Sequence, residues 1–305
     1  MQIHKGFNSF PTNIETTITT GTFDGVHLGH KKILDHLISI GRKTKTETVL
    51  FTFVSHPRII LFPDNELKLI NSLEENISRL NSYGIDHLIL QDFNRDFSRV
   101  SSLEYIRDIL IKKLKMKNMV IGFNHHFGRN REGSINDLSD YTDLYNFEIY
   151  KVGANIIDEK SVSSSKIRDA INKGNMKLAN NYLGYIFSFS GQVIRGKGRG
   201  KKIGFPTANL LIDHPHKILP TNGVYAVNVV YNNCKYQGMM NIGNNPTFDS
   251  HQNSTEVHIF DFNQEIYTQN VVIEVIKRIR SEKKYSNIKE LKAQLVLDKI
   301  SALNL

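Results

Sequence analysis

The chain has 305 residues, enough for one large domain or two ordinary ones, and its 40% hydrophobic and 23% charged content matches a folded globular protein. No run approaches the roughly 18 apolar residues that a membrane helix needs. The first ten residues lack the apolar centre of a secretory signal, and a lone cysteine, Cys234, excludes an internal disulfide and a thiolate metal cluster. The expectation is a cytoplasmic protein without a membrane partner. A net charge of +9 admits nucleic acid or small anions as ligands, yet basic residues concentrate strongly only over residues 195–202.

In chain order, the β-branched run Thr16–Thr20 predicts a strand. Residues 31–40, with Ile33, Leu34, Leu37 and Ile38 at helical spacing, predict a helix. Between them lies Gly21-Thr-Phe-Asp-Gly-Val-His-Leu-Gly-His30. A turn in this position aims the unpaired N–H groups of a helix start past the end of a sheet, where they and the helix dipole favour a phosphate. His27 and His30, three apart, share one face of the first helical turn. Residues 48–53 form an apolar run suited to a buried parallel strand, ending in the loop Val54-Ser-His-Pro-Arg58. Ser72 with Glu75 and Ser101 with Glu104 have capping-box spacing. Leu73, Ile77 and Leu80 extend the first helix up to Gly84, and Leu103, Ile106, Leu110 and Leu114 the second.

Residues 87–90, 119–122 and 147–152 are further strands. Strands alternating with helices imply an α/β fold with a covered parallel sheet, whose ligands lie beyond the carboxyl ends of the strands. The segments that follow the strands, residues 21–30, 55–58, 123–133 and 163–168, would surround an anion with donors. Taken singly, His27 and His30 read as structural histidines, and Ser164 and Ser165 as helix caps. His56, His125 and His126 bring zinc to mind, but there is no His-Glu-x-x-His helix and no cysteine partner.

From about residue 187 the pattern changes to short β-rich segments: residues 192–195, 224–231, 236–242, 257–262 and 271–279. Asn232-Asn233 suits a tight hairpin turn. Residues 288–300 read as a terminal helix with Ile288, Leu291, Leu295 and Ile300 on one face. A small antiparallel barrel or sandwich closed by a helix follows, with the boundary near residues 183–188. The glycine-rich basic segment Arg195-Gly-Lys-Gly-Arg-Gly-Lys-Lys202 is neither a P-loop nor a dinucleotide fingerprint. By composition alone it reads as a flexible loop that could touch RNA.

Taken together, residues 21–30, Ser55-His-Pro57, Gly122-Phe-Asn-His-His-Phe-Gly128 and Ser163-Ser-Ser-Lys-Ile-Arg168 closely resemble the adenylyltransferase module of the bacterial bifunctional riboflavin kinase/FAD synthetase family. Gly204-Phe-Pro-Thr-Ala-Asn209, Gly223-Val-Tyr225, Asn241-Ile-Gly-Asn-Asn-Pro-Thr-Phe248, Glu256-Val-His-Ile-Phe-Asp-Phe262 and Ile279-Arg-Ser-Glu-Lys-Lys-Tyr285 resemble its riboflavin kinase module. The resemblance implies a Rossmann-like nucleotidyltransferase domain over residues 1–185 and a β-barrel kinase domain with a C-terminal helix over 186–305. It implies phosphorylation of riboflavin to FMN and adenylylation of FMN to FAD, with ATP as co-substrate, Mg²⁺ as cofactor and no nucleic-acid partner.

By the same resemblance, Gly21, Phe23, Asp24, His27, Gly29, His30, Asn124, Ser164, Ser165 and Arg168 meet ATP and its phosphates in the first module. His56, Pro57 and Asn124 face the flavin there. In the second, Glu256 matches the catalytic glutamate, and Gly196, Gly198, Gly204, Pro206, Thr207 and Asn209 bind the nucleotide. Thr207 and Asn209 also hold Mg²⁺, and Arg280 and Glu282 lie on the flavin side. Ser165 stands where relatives often carry threonine, which keeps the hydroxyl. On spacing alone, Glu256 reads as a surface strand residue paired with a lysine.

Overall fold

The computed structural model describes every residue except 65, 123–125, 154–155, 158–159, 197, 213, 244–253 and 305. Two compact units result, Met1–Ser164 and Ser165–Leu305.

The first unit is built on six strands: β1 (Gln2–Lys5), β2 (Thr16–Thr20), β3 (Glu47–Phe53), β4 (His87–Gln91), β5 (Met116–Gly122) and β6 (Glu148–Val152). They form one sheet in the order β1-β4-β3-β2-β5-β6, and every neighbouring pair is parallel. From β2 the chain builds outward through β3 and β4 on one side, then crosses to β5 and β6 on the other. The carboxyl end of β2 is therefore the topological switch point, where open parallel sheets leave a crevice for ligands.

Helices of this unit are α1 (Leu28–Thr44), α2 (Pro57–Leu61), α3 (Leu73–Asn81), α4 (Ser102–Glu104), α5 (Ile135–Ser139) and α6 (Thr142–Tyr145). Alternate strand residues feed two cores, as a sheet buried on both faces requires. Ile18, Val49, Phe51, Met119 and Ile121 pack on one side with Tyr105 and Ile106, while Leu50, Leu88 and Val120 pack on the other with Leu34 and Leu37 of α1. A two-stranded ribbon, β7 (Ile156–Ile157) and β8 (Lys160–Ser161), completes the unit.

Both anticipated capping boxes form, at Ser72 with Glu75 and Ser101 with Glu104. The helix expected up to Leu114 differs in kind. After one capped turn it widens into a π-helix, Tyr105–Lys113, closed by a bond from the Leu114 N–H to the Ile109 carbonyl. β1 carried no signal, because its Gln-Ile-His-Lys sequence is that of a short polar edge strand.

In the second unit, α7 (Ser164–Asn172, of which the first residue counts with the first unit) and α8 (Met176–Leu183) precede β9 (Ser188–Ile194), α9 (Arg199–Lys202), β10 (Ala208–Leu211), β11 (Gly223–Tyr231), β12 (Cys234–Gly243), β13 (Ser254–Ile259), β14 (Asn270–Arg280) and α10 (Ile288–Leu303). The six strands close into a barrel in the order β10-β13-β12-β11-β14-β9, with antiparallel pairs throughout. Strand β10 was not anticipated, being four residues hidden behind the glycine-rich segment. The compact-unit division falls earlier than the change of sequence pattern because α8 is bonded to the barrel. Asn180 of α8 donates to the Val275 carbonyl at 3.1 Å and accepts from the Phe187 N–H at 2.8 Å.

Helix α10 covers one outer patch of the barrel through Leu295 and Ala302, against Ala226, Met239, Phe205 and Phe260. The face expected from spacing is corrected: Ile288 is 67% and Ile300 50% exposed, while Asp298 and Ala302 are buried. Polar and apolar residues are intermixed around this helix, with no distinct apolar face, so periodicity could not say which side the barrel takes.

Candidate active sites

At the switch point of the first unit, the chain leaves β2 through a tight turn that only particular residues permit. Gly25 adopts φ +84°, and a Cβ there would lie 2.9 Å from the Ile70 side chain. Phe23 and Val26 also hold positive φ. What fixes this strained turn is Asp24. Its buried carboxylate accepts the N–H of Ile70 at 2.9 Å and of Asn71 at 3.2 Å, and its main-chain carbonyl accepts the Ser164 hydroxyl at 3.0 Å.

The turn delivers His27 as the N-cap of α1, its Nδ1 accepting the His30 N–H at 3.3 Å. Because Nδ1 accepts, the ring proton of His27 lies on Nε2. The two imidazoles stack at 3.7 Å with 14° between planes, and Phe23 packs against His30. A Cβ at Gly29 would press on the His27 ring at 3.0 Å, and one at Gly21 on the Phe23 ring at 3.1 Å, so both glycines keep the stack in place. Burial, with His27 alongside, holds the His30 pKa well below its ordinary value. His30 Nδ1 is buried and has no hydrogen-bond partner among the described residues. A stacked imidazole pair with an unsatisfied nitrogen on the neutral His30, at a helix start, is ready for an anion.

Beside it lies a small cleft of about 40 Å³ lined by Thr22, Asp24, Phe53, His56, Asn71 and Asn76. His56 caps α2 by accepting the Arg58 N–H at 3.2 Å, and Pro57 occupies the first helical position, where a missing N–H costs nothing. Asn124 lies outside the described residues. Ser165 and Arg168 sit on α7.

The second unit holds a different constellation. Asn209 on β10 and Asn241 on β12 both lie opposite Glu256 on β13, so the three side chains share one face. The Thr207 hydroxyl donates to Glu256 Oε2 at 3.1 Å. A Cβ at Gly196 would collide with the Asn209 carboxamide, and one at Gly200 with the Phe205 carbonyl, which explains the glycines of the basic segment as close approaches. Gly198 and Gly204 take positive φ and border open space. Two residues beyond Glu256, on the same face, His258 Nδ1 is 2.7 Å from the Pro206 carbonyl and holds the turn that presents Thr207. Burial lowers the His258 pKa, which keeps the ring neutral.

The family model described as FAD synthetase matches residues 10–166 and that described as riboflavin kinase matches 183–305. Bifunctional riboflavin kinase/FMN adenylyltransferases align over almost the whole chain: 37% identity with that of Buchnera aphidicola from Acyrthosiphon pisum (98% of this chain, 96% of that one), and 38% with that of Bacillus subtilis (95% and 92%). The chain belongs to the bifunctional riboflavin kinase/FMN adenylyltransferase family. It is a transferase with both modules of that family present. A solved Streptococcus pneumoniae structure named for macrolide efflux also matches, with TM-score 0.92 and 32% identity over 100% of this chain and 99% of that one. Among the described residues no helix is long and apolar enough to cross a membrane.

Of the residues expected from the sequence for the two riboflavin kinase/FMN adenylyltransferase reactions, His27, His30 and His56 lie in the first unit and Thr207, Asn209 and Glu256 in the second, which also includes Ser165 and Arg168 of α7. Glu282, expected on the flavin side, rests its carboxylate where a Cβ of Gly243 would stand, at the end of β12. The guanidinium of Arg280 is engaged by Asp298 of α10. Two contributors escaped the sequence reading. His258 could have been found from its i, i+2 relation to Glu256 on a strand; Asp298 is one of several charged residues of α10, and nothing in its spacing marked it.

Proposed function

We propose that residues 186–305 carry riboflavin phosphorylation at the Glu256 site and residues 1–185 carry FMN adenylylation at the His27–His30 turn. In the first step the terminal ribityl hydroxyl attacks the γ-phosphorus of ATP, Glu256 accepts its proton as general base, and the bond from the γ-phosphorus to the bridging oxygen breaks as ADP leaves. The observation that carries this assignment is the bond from Thr207 to Glu256. It makes the carboxylate an acceptor within reach of the nucleotide-binding strand.

The donors here are a hydroxyl, a carboxamide and a carboxylate, all hard oxygens that suit Mg²⁺. Thr207 and Asn209 would hold the ion together with nucleotide phosphates, where it would offset charge on the transferring group. Gly196, Gly198 and Gly204 leave the main chain close to those phosphates, and the surrounding basic side chains oppose their charge. We assign that charge to ATP and not to RNA, because the neighbouring aromatic Phe205 is buried and presents no stacking face.

In the second step an oxygen of the FMN phosphate attacks the α-phosphorus of another ATP, and pyrophosphate leaves. The nucleophile is already an anion, so no base is required. Catalysis is then stabilisation of charge developing on the phosphates. His27, donating from Nε2, and His30, gaining a proton or a partner at its buried nitrogen, supply that stabilisation. Ser164, Ser165 and Arg168 grip the leaving phosphates, and His56 with Pro57 borders the flavin. The lone exposed Cys234 suits a reducing, cytoplasmic compartment.

The test is incubation of the purified chain with riboflavin, ATP and Mg²⁺, separating flavins over time. FMN should appear first and FAD after it; formation of neither refutes the assignment.

A further inference from the structure

Asp298 touches no reacting group in the scheme above, yet it is only 1% exposed. Taking a carboxylate out of water costs several kcal/mol unless it is paired and hydrogen-bonded, and an apolar residue would often pack there as stably. The cost is offset by a fork. Arg280 Nε lies 2.9 Å from Oδ1 and Nη2 lies 2.7 Å from Oδ2, while Gln294 Nε2 gives Oδ1 another donor at 2.9 Å. A two-point bond of this kind fixes the plane of the guanidinium as well as its charge.

The remaining edge and face of that guanidinium are also used. Arg280 Nη1 donates to the Ser281 carbonyl at 3.0 Å, and its carbon lies 5.8 Å from the centroid of the Tyr285 ring. Both ends of residues 281–285 are thus tied to one planar group, whose orientation α10 sets. Within the segment, the Glu282 carboxylate stands against Gly243, near Asn241, the register partner of Glu256. The loop is hung at the rim of the kinase site before any substrate arrives.

We propose that Asp298 is a positioning residue for the flavin-side loop of the kinase site, setting the pose of residues 281–285 through Arg280 and so governing how riboflavin is held. This rests on the reading of the Glu256 site as the riboflavin kinase. A loop ordered in advance spares the complex the entropy of ordering it, which shows as tighter binding of riboflavin. Phosphate transfer itself, carried by Thr207, Asn209 and Glu256, lies outside the brace.

The experiment is steady-state kinetics of the full chain as Asp298→Asn, Asp298→Glu and Gln294→Ala, varying riboflavin and ATP separately and assaying adenylylation of supplied FMN in the same preparations. Asp298→Asn should raise KM for riboflavin about tenfold, the scale of one lost charge-assisted pair, with kcat and KM for ATP within about twofold. Asp298→Glu, which keeps the charge, should recover part of the loss, and FMN adenylylation should be unchanged in all three. An unaltered KM for riboflavin overturns the proposal, and so does an equal rise in KM for ATP, which would mark a general brace. Should Asp298→Asn fail to fold, Gln294→Ala decides: it removes one neutral bond, and KM for riboflavin must rise about two- to threefold or the proposal falls. Absence of FMN formation by the unaltered chain refutes the kinase reading itself, a result separable from any of these.

Discussion

His30 is the residue whose environment does most to define its chemistry. Its imidazole is kept neutral by burial and by the stacked His27, and its Nδ1 waits without a partner among the described residues. The unfolded chain, with a histidine of ordinary pKa 6.5, takes up a proton that the folded chain resists. Stability is therefore complete above that value and is lost as pH falls below it, by up to about 1.4 kcal/mol per pH unit until the folded pKa is reached. Urea midpoints measured at pH 7 and pH 5 should fall less for His30→Asn than for the unaltered chain; an equal fall would mean that His30 is not held neutral. Glu256 belongs to the same scale. Glu256→Ala should lose at least about a hundredfold in FMN formation, the usual worth of a general base. It should still convert supplied FMN to FAD, read by flavin chromatography, and His30→Ala should show the reverse pattern.

Elements explain why the residues stand where they do. The turn between β2 and α1 is strained, and the Asp24 carboxylate holds it by taking the N–H groups of Ile70 and Asn71. Asp24→Ala leaves buried donors without an acceptor, at about 1–3 kcal/mol each. Asp24→Asn, which keeps one acceptor oxygen, should lose less. Chemical denaturation orders the three chains, and equal stability of Asp24→Ala and the unaltered chain would remove Asp24 from this role. Sequence spacing showed that this turn joins a strand to a helix and that Ser72 and Ser101 open helices, because capping and periodicity are local. It could not show that Asp24 serves the main chain 46 residues away, nor that α10 buries Asp298 instead of Ile300. Those outcomes depend on which surface the element meets.

For the whole molecule, each proposed reaction has its base or its histidine pair inside one compact unit and uses its own ATP. A mixture of the Glu256→Ala and His30→Ala chains should therefore make FAD from riboflavin, with FMN passing through solution between molecules. No FAD from the mixture, with each chain active in its own half-reaction, would mean that FMN is not exchanged.

The sequence by itself determined the alternating α/β half, the β-rich half, the strand-to-helix turn at residues 21–30 and, through motif order, the family and the two reactions. These are carried by local periodicity and by residue types at fixed spacing, which survive without coordinates. Only the tertiary structure decided that six strands close a barrel, that β10 brings Asn209 and Thr207 to Glu256, that His27 and His30 stack, and that Arg280 answers to Asp298. Apart from the histidine stack, each of these joins elements distant in sequence, and such a pairing is set by the free energy of packing and desolvation, to which spacing along the chain is blind.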